Sequence, residues 1–377
     1  MEIVFIIGAT LSFFLAFLVF SKENKTTGDY ILGSYLAVIG LYFTILYLES
    51  ISVEYPRFVN ILGFNIPLLM GPFMFLYVLF MVKTNNKFKA IYWLHGLPYL
   101  LFSLYSVFYL YFPDIAKKNT NIVTLESISV FKISFYLVAN TIYVIGSIFL
   151  LNKHKKKLGD HFSYTEDINL VWLKVVVIGF GALWGVILIL HLFDKYPINA
   201  ISPLGYLIYL ASTIYIFFLG YFGFKQQVIY SDKQIDISLS DKVVPINENG
   251  KEERYKRSSL KEKEAEVYLE NLLDYFEKEK PYLNGQLKLV DLSEHLNISV
   301  HHLSQIINEQ LGKNFFDFVN EYRVREVKAR LSNSEHKQYT LLSIAYDSGF
   351  NSKSNFNSTF KKITGFTPSQ YLKQQTV

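Results

Sequence analysis

The strongest constraint on this chain is a recurrence. Apolar runs of about 20 residues, separated by short polar stretches, fill residues 1–224. Seven are present, at roughly 3–20, 31–48, 59–82, 91–112, 128–151, 171–193 and 201–224. Runs of that length predict membrane-spanning helices, because a helix satisfies its own backbone N–H and C=O groups without water. The third run contains Pro67, Gly71 and Pro72 and is expected to kink or break. The first reads as a retained span rather than a cleaved leader: Glu2 replaces a basic start, the run is too long, and no small-residue cleavage site follows.

Charge divides the chain in two. Residues 1–224 hold 15 Lys+Arg and 11 Asp+Glu, whereas 225–377 hold 22 and 21. An oily half joined to an ordinary soluble half excludes a single water-soluble globule and a disordered chain. With no cysteine, disulfides, iron–sulfur clusters, thiolate zinc sites and a cysteine nucleophile are excluded. The net charge of +5 is too mild to mark a nucleic-acid binder by itself.

The short loops set an orientation. The first, third and fifth carry Lys22, Lys25, Lys83, Lys87, Lys89, Lys153, Lys155, Lys156 and Lys157; the others carry only Arg57, Lys117, Lys118 and Lys195. The lysine-rich side is expected to be cytoplasmic, which puts the N-terminus outside and residue 225 inside a bacterial inner membrane. The Lys153–Lys157 run is read as a loop, against anionic headgroups or simply solvated.

No Asp or Glu lies inside the seven runs, which argues against ion- or proton-coupled transport. Lys132, Lys174, His95 and His191 lie near run ends and are expected to snorkel or anchor. Asn65, Asn140 and the two histidines fit helix–helix hydrogen bonding better than a ligand pocket. Tyr105, Tyr109 and Tyr111 fit packing or the interface. The last run has no lysine for a retinal Schiff base, and nothing in the spacing of Ser147 and His191 supports a nucleophile–base pair. The chain is read as non-enzymatic, without cofactor or metal.

Residues 225–258, punctuated by Pro245, Asn247, Asn249 and Gly250, read as a flexible tether. A capping box, Ser259-Leu-Lys-Glu262, opens a helix carrying Ala265, Tyr268, Leu269, Leu272, Leu273 and Phe276 at helical spacing. Asp291-Leu-Ser-Glu294 opens a short helix, Asn297-Ile298 makes a corner, and Ser299 caps a helix from Val300 to Leu311 that Gly312 closes. Asn314 caps a long helix, about 315–331, with Phe315, Phe318, Val319, Tyr322 and Leu331 as its apolar stripe. The module then repeats. A short helix ends at Gly349, Phe350-Asn351 turns, and Ser352 caps a helix from Lys353 to Thr364 with Phe356, Phe360 and Ile363 inward and Gly365 at its end. Thr367-Pro368 starts a last helix.

Two short helices joined by such a turn make a helix-turn-helix, and an exposed second helix fits the major groove of DNA. The outward positions are His301, Ser304 and Gln305, with His302 beside them, and then Lys353, Ser354, Asn355, Asn357 and Ser358. Small polar and amide groups suit base-edge hydrogen bonding. Lys313, Arg323, Arg325, Lys328, Lys361 and Lys362 are placed to meet phosphates. A solvated face is the alternative for any one of them. Adjacent His301 and His302 diverge by about 100° on a helix and have no third ligand nearby, so they are not read as a metal site.

Residues from about 260 onward resemble the DNA-binding domain of AraC/XylS-type transcription regulators. The resemblance is carried by Leu289-Val-Asp-Leu-Ser-Glu-His-Leu-Asn-Ile-Ser299, Leu303-Ser-Gln-Ile-Ile-Asn308, Gly312-Lys-Asn-Phe-Phe316, Tyr322-Arg-Val324 and, most specifically, Ile344-Ala-Tyr-Asp-Ser-Gly-Phe350 with Phe356, Phe360-Lys-Lys362, Gly365 and Thr367-Pro368. It implies seven helices, with two helix-turn-helix units joined by a long helix. It also implies base contacts at His301, Ser304, Gln305, Lys353, Ser354, Asn355 and Asn357, while the phosphate contacts expected from the placement of the cations themselves are Lys313, Arg323, Lys361 and Lys362. Gln305 and Ser358 depart from the pattern, standing where many members have arginine, and Arg330 stands where an apolar residue is usual. The apolar half resembles, by architecture alone, membrane regions fused to such domains in some bacteria, often of the Bacteroidota.

The expected fold is all-α: a seven-helix transmembrane bundle (1–224), a cytoplasmic linker (225–258) and an AraC-type tandem helix-turn-helix domain (259–377). The expected function is a membrane-embedded transcription regulator that couples an external or membrane signal to promoter binding. The partners expected are double-stranded promoter DNA, membrane lipids and an unidentified signal ligand, with RNA polymerase and a second copy left open. The rival readings are a seven-span transporter or intramembrane enzyme, and a membrane scaffold whose tail binds protein.

Overall fold

The computed structural model describes residues 2–83, 87–112, 125–164, 170–193, 203–226, 262–332 and 339–375. The chain forms two compact units: residues 1–153 with 170–228, and residues 154–169 with 229–377. Both are helical, and among the described residues the extended structure is one isolated bridge, Phe162 to Lys288.

The first unit contains α1 (Glu2–Phe20), α2 (Thr27–Ser50), α3 (Arg57–Asn65), α4 (Pro67–Val82), a 3₁₀ turn (Ala90–Gly96) that runs into α5 (Leu97–Tyr111), most of α6 (Leu125–His161), α7 (Val171–Phe193) and α8 (Pro203–Lys225). Among the described residues, six helices are long and apolar enough to cross a membrane, or seven if α3 and α4 count as one broken span. That break, a 43° bend, falls where the third run was expected to fail. It sits before Pro67, which starts α4, while Pro72 is accommodated inside the helix. Asn140 Nδ2 donates to the Pro67 carbonyl at 3.3 Å, and Tyr136 Oη donates to Asn65 Oδ1 at 2.7 Å. The two asparagines therefore bind helices together around the break, as the simpler reading held. Lys174 Nζ donates to Asn152, and His95 Nδ1 lies 3.1 Å from Tyr143 Oη. The side chains of Lys132, His191 and Tyr109 lie outside the description, as do Lys117, Lys118 and Lys195.

Lys22 is not a solvated loop lysine. Its side chain is buried, ion-pairs with Asp29 at 2.6 Å and donates to the Gly223 carbonyl on α8 at 2.9 Å. Asp29 in turn accepts from the Thr26 backbone in a capping box at the start of α2.

Residues 153–157 form no loop. The helix continues through them to His161, because lysine is a good helix former and His154 and Leu158 face inward one turn apart. The tether read at 225–258 lies almost wholly outside the described residues, as does the Ser259 cap.

The second unit continues with α9 (Glu262–Lys278), α10 (Leu289–His295), α11 (Val300–Gln310), α12 (Phe315–Ser332), α13 (Leu341–Asp347), α14 (Lys353–Thr364) and α15 (Pro368–Gln375). Two cores share α12. The first gathers Phe276, Leu292, Leu303 and Ile307 on Phe315, Phe318, Val319 and Tyr322. The second gathers Ile344, Phe350, Phe356 and Phe360 on Val324, Val327 and Leu331. At about 100° per residue these two sets occupy nearly opposite faces of α12. Its apolar stripe is therefore two half-length stripes and not the single one expected.

Candidate nucleic-acid interface

Local chemistry fixes both turns. In the first, Asn297 adopts a left-handed φ of 50°, and Ser299 Oγ accepts from the His302 amide to cap α11. In the second, Gly349 has φ 91°, and Ser352 Oγ accepts from the Asn355 amide to cap α14. Gly349 is obligatory for space as well as backbone: a Cβ there would run into the Tyr282 carbonyl. α10 starts three residues earlier than its sequence pattern indicated. Asp291 serves as its third residue, accepting from the Lys288 amide at 2.8 Å.

The helices that follow the two turns present partly polar outer faces. His301 is exposed; Ser304 and Gln305 are half-buried. Gln305 donates to Glu309, and Asn308 bonds back to Ser304. On α14, Lys353, Ser354, Asn357 and Ser358 are exposed. Asn355 is not on this face. It is 7% exposed, and its Oδ1 accepts from Thr359 Oγ1 at 3.0 Å. The expectation of a base contact from Asn355 is corrected: its position one turn before the buried Thr359 turns it inward. Ile363 is corrected the other way, being exposed at the end of the helix.

The expected phosphate-binding cations divide into distinct environments. Lys361 and Lys328 are exposed, the latter near the Tyr371 ring. Lys362 ion-pairs with Asp317 at 2.7 Å and Lys313 with Glu321. Arg325 bonds to Glu277 at 3.1 Å and covers the Tyr322 ring, and Arg330 pairs with Glu326. Arg323 is the clear correction. It has no solvent exposure, so it is not presented to phosphate. Its Nε donates to the Tyr282 carbonyl and one terminal nitrogen to the Asn284 carbonyl, both at 2.8 Å, while the other reaches the Ser163 carbonyl at 2.9 Å. Burial pulls its pKa down to about 9, which leaves it charged at neutral pH.

Two capped helix-turn-helix units on one connecting helix define a DNA-binding domain of the tandem type. Comparisons with known proteins agree. Residues 292–374 match the family described as "Helix-turn-helix domain". Over 98 residues the chain is 37% identical to uncharacterized HTH-type transcriptional regulators of Staphylococcus aureus strains COL and N315, covering 26% of this chain and 12% of each relative. It is 28% identical over 109 residues to the melibiose operon regulatory protein of Escherichia coli K12, covering 29% of this chain and 34% of that protein. The chain thus spans well under two thirds of the length of these relatives. No solved structure matches it. The C-terminal domain is of the AraC type.

The first unit holds a cavity of about 400 Å³, lined by neutral side chains that include Tyr35, Tyr42, Tyr136, Trp184, Tyr209 and Tyr215.

Proposed function

We propose that this chain is a membrane-embedded transcription regulator whose first unit senses a signal and whose second unit binds promoter DNA from the cytoplasmic face. The observation that carries the reading is the pair of exposed, capped helices α11 and α14 on one connecting helix. An 18-residue α12 is about 27 Å long, which with module width suits successive major-groove faces about 34 Å apart. Base readout is assigned to His301, Ser304, Gln305, Lys353, Ser354 and Asn357, and phosphate contact chiefly to Lys361.

Membrane embedding is supported by the outward faces of the first unit. Ile3, Phe17, Trp93, Ile142, Phe149 and Val175 are all more than 60% exposed, an apolar surface suited to lipid. The Lys/Arg distribution at the ends of its apolar runs favours N-terminus outside and C-terminal domain inside. The neutral, tyrosine-rich cavity favours an uncharged, largely apolar signal molecule with a hydroxyl or carbonyl for the phenols to bind.

Genome-wide mapping of DNA cross-linked to the intact membrane-held chain tests the proposal. Discrete promoter sites are expected, and they should disappear when Lys353 and Asn357 are both replaced by alanine. A C-terminus reachable by membrane-impermeant label on intact cells would overturn the reading.

A further inference from the structure

The second unit includes residues that precede their contact partners in it by more than 120 positions. α6 starts in the apolar unit and ends at His161, and the next three residues lie against the DNA-binding domain as part of the same compact unit. Phe162 pairs with Lys288 in an antiparallel bridge. The Ser163 amide and hydroxyl both donate to the Leu287 carbonyl, at 3.2 and 2.6 Å. The Ser163 carbonyl accepts from Asn320 at 3.2 Å and from Arg323 at 2.9 Å, and Arg323 also donates to Ser163 Oγ at 3.1 Å. Ser163 has no exposed surface, and Leu158, Phe162 and Tyr164 form a buried cluster beside it.

Five hydrogen bonds from one serine are more than a loop brushing a surface would make. They fall on a telling place. Asn320 and Arg323 lie on α12, which both cores share, and Arg323 also holds the 282–284 turn against which the Gly349 corner packs. A shift of Ser163 therefore acts on the residue where the two helix-turn-helix units meet. The exposed positions of α11 and α14 stay open while the serine is docked, so the contact is no lid over the DNA-reading faces.

We propose that residues 154–164 are a coupling strap: the end of α6 grips α12 through Ser163 and conveys changes in the membrane unit to the spacing or orientation of the two DNA-reading helices. This rests on the regulator reading above, and it adds a route of signal transfer separate from the 225–258 tether.

Because the chain lacks cysteine, the contact can be tested in membrane vesicles containing the full-length protein. A Phe162→Cys/Lys288→Cys pair should form a disulfide under mild oxidation, since bridged strand residues lie within disulfide reach. Oxidation should be at least tenfold faster than in a Phe162→Cys/Glu309→Cys control, and equal rates would overturn the proposal. Function is read with Ser163→Ala, a small deletion, and with Asn320→Leu. Each should change transcription from a mapped promoter at least threefold in cells while the solubilised full chain keeps its DNA affinity within twofold. Unchanged output, or output and affinity falling together, would mean the contact is only structural. If the unmodified chain binds no DNA, the regulator reading fails on its own account, whatever the disulfide does.

Discussion

Arg323 shows how little a residue's type reveals of its place. In the sequence it sits in a basic stretch and invites a phosphate. In the fold it is a buried guanidinium satisfied by carbonyl oxygens. The only local sign is its position between Tyr322 and Val324, where the apolar sets of the two cores change over. Removing it leaves the buried Tyr282 carbonyl without its donor. Arg323→Met is expected to destabilise the C-terminal domain by about 3 kcal/mol, read as the urea midpoint of proteolysis in the solubilised chain. Arg323→Lys should recover little of this, because one ammonium cannot span three segments. The two asparagines of α14 part in the same way. Asn357→Ala should weaken binding by about 1–3 kcal/mol at one base pair and relax selectivity there. Asn355→Ala should lower the thermal midpoint and leave selectivity alone, as its partner is Thr359.

At the scale of elements, what the sequence discloses is what is local. Caps at Ser299, Asn314, Ser352 and Thr367, and positive φ at Gly312, Gly349 and Gly365, follow from neighbours three or four residues away, and they were legible. The continuation of α6 through Lys153–Lys157 was not, because its inward face depends on packing by distant residues. Two glycines with similar backbones make the distinction testable. Gly365 has open space around its missing Cβ, so Gly365→Ala meets only the left-handed penalty, about 1 kcal/mol. Gly349→Ala also meets the Tyr282 carbonyl and Arg323, and should lose about 3 kcal/mol. Asparagine, which tolerates left-handed φ, should rescue position 365 and fail at 349 in thermal unfolding of the two variants.

On the scale of the whole molecule, the contrast in charge between residues 1–224 and 225–377 is plain in the sequence. The grouping of residues 154–164 with the second compact unit is not, because it joins segments with more than 120 residues between them. The cations behave similarly: residues 285–377 carry 11 Lys+Arg against 8 Asp+Glu, but ion pairing decides which lysines are at liberty to meet a phosphate. Each phosphate contact releases counterions and adds about 0.9 to the slope of log affinity against log salt. Lys361, exposed on the last turn of α14, is expected to contribute that full amount, so Lys361→Gln should lower the slope by about one unit. Lys362 must first leave Asp317, and Lys313 must leave Glu321, so their glutamine variants should lower it by less. Replacing Asp317 by asparagine frees Lys362 and should bring its contribution up towards that of Lys361. Titrations of the full-length chain and its four variants in lipid nanodiscs on a mapped promoter fragment, from about 50 to about 200 mM salt, read all five slopes. Equal slopes for Lys361→Gln and the unmodified chain would remove Lys361 from the DNA interface and return the basic face of α14 to solvent.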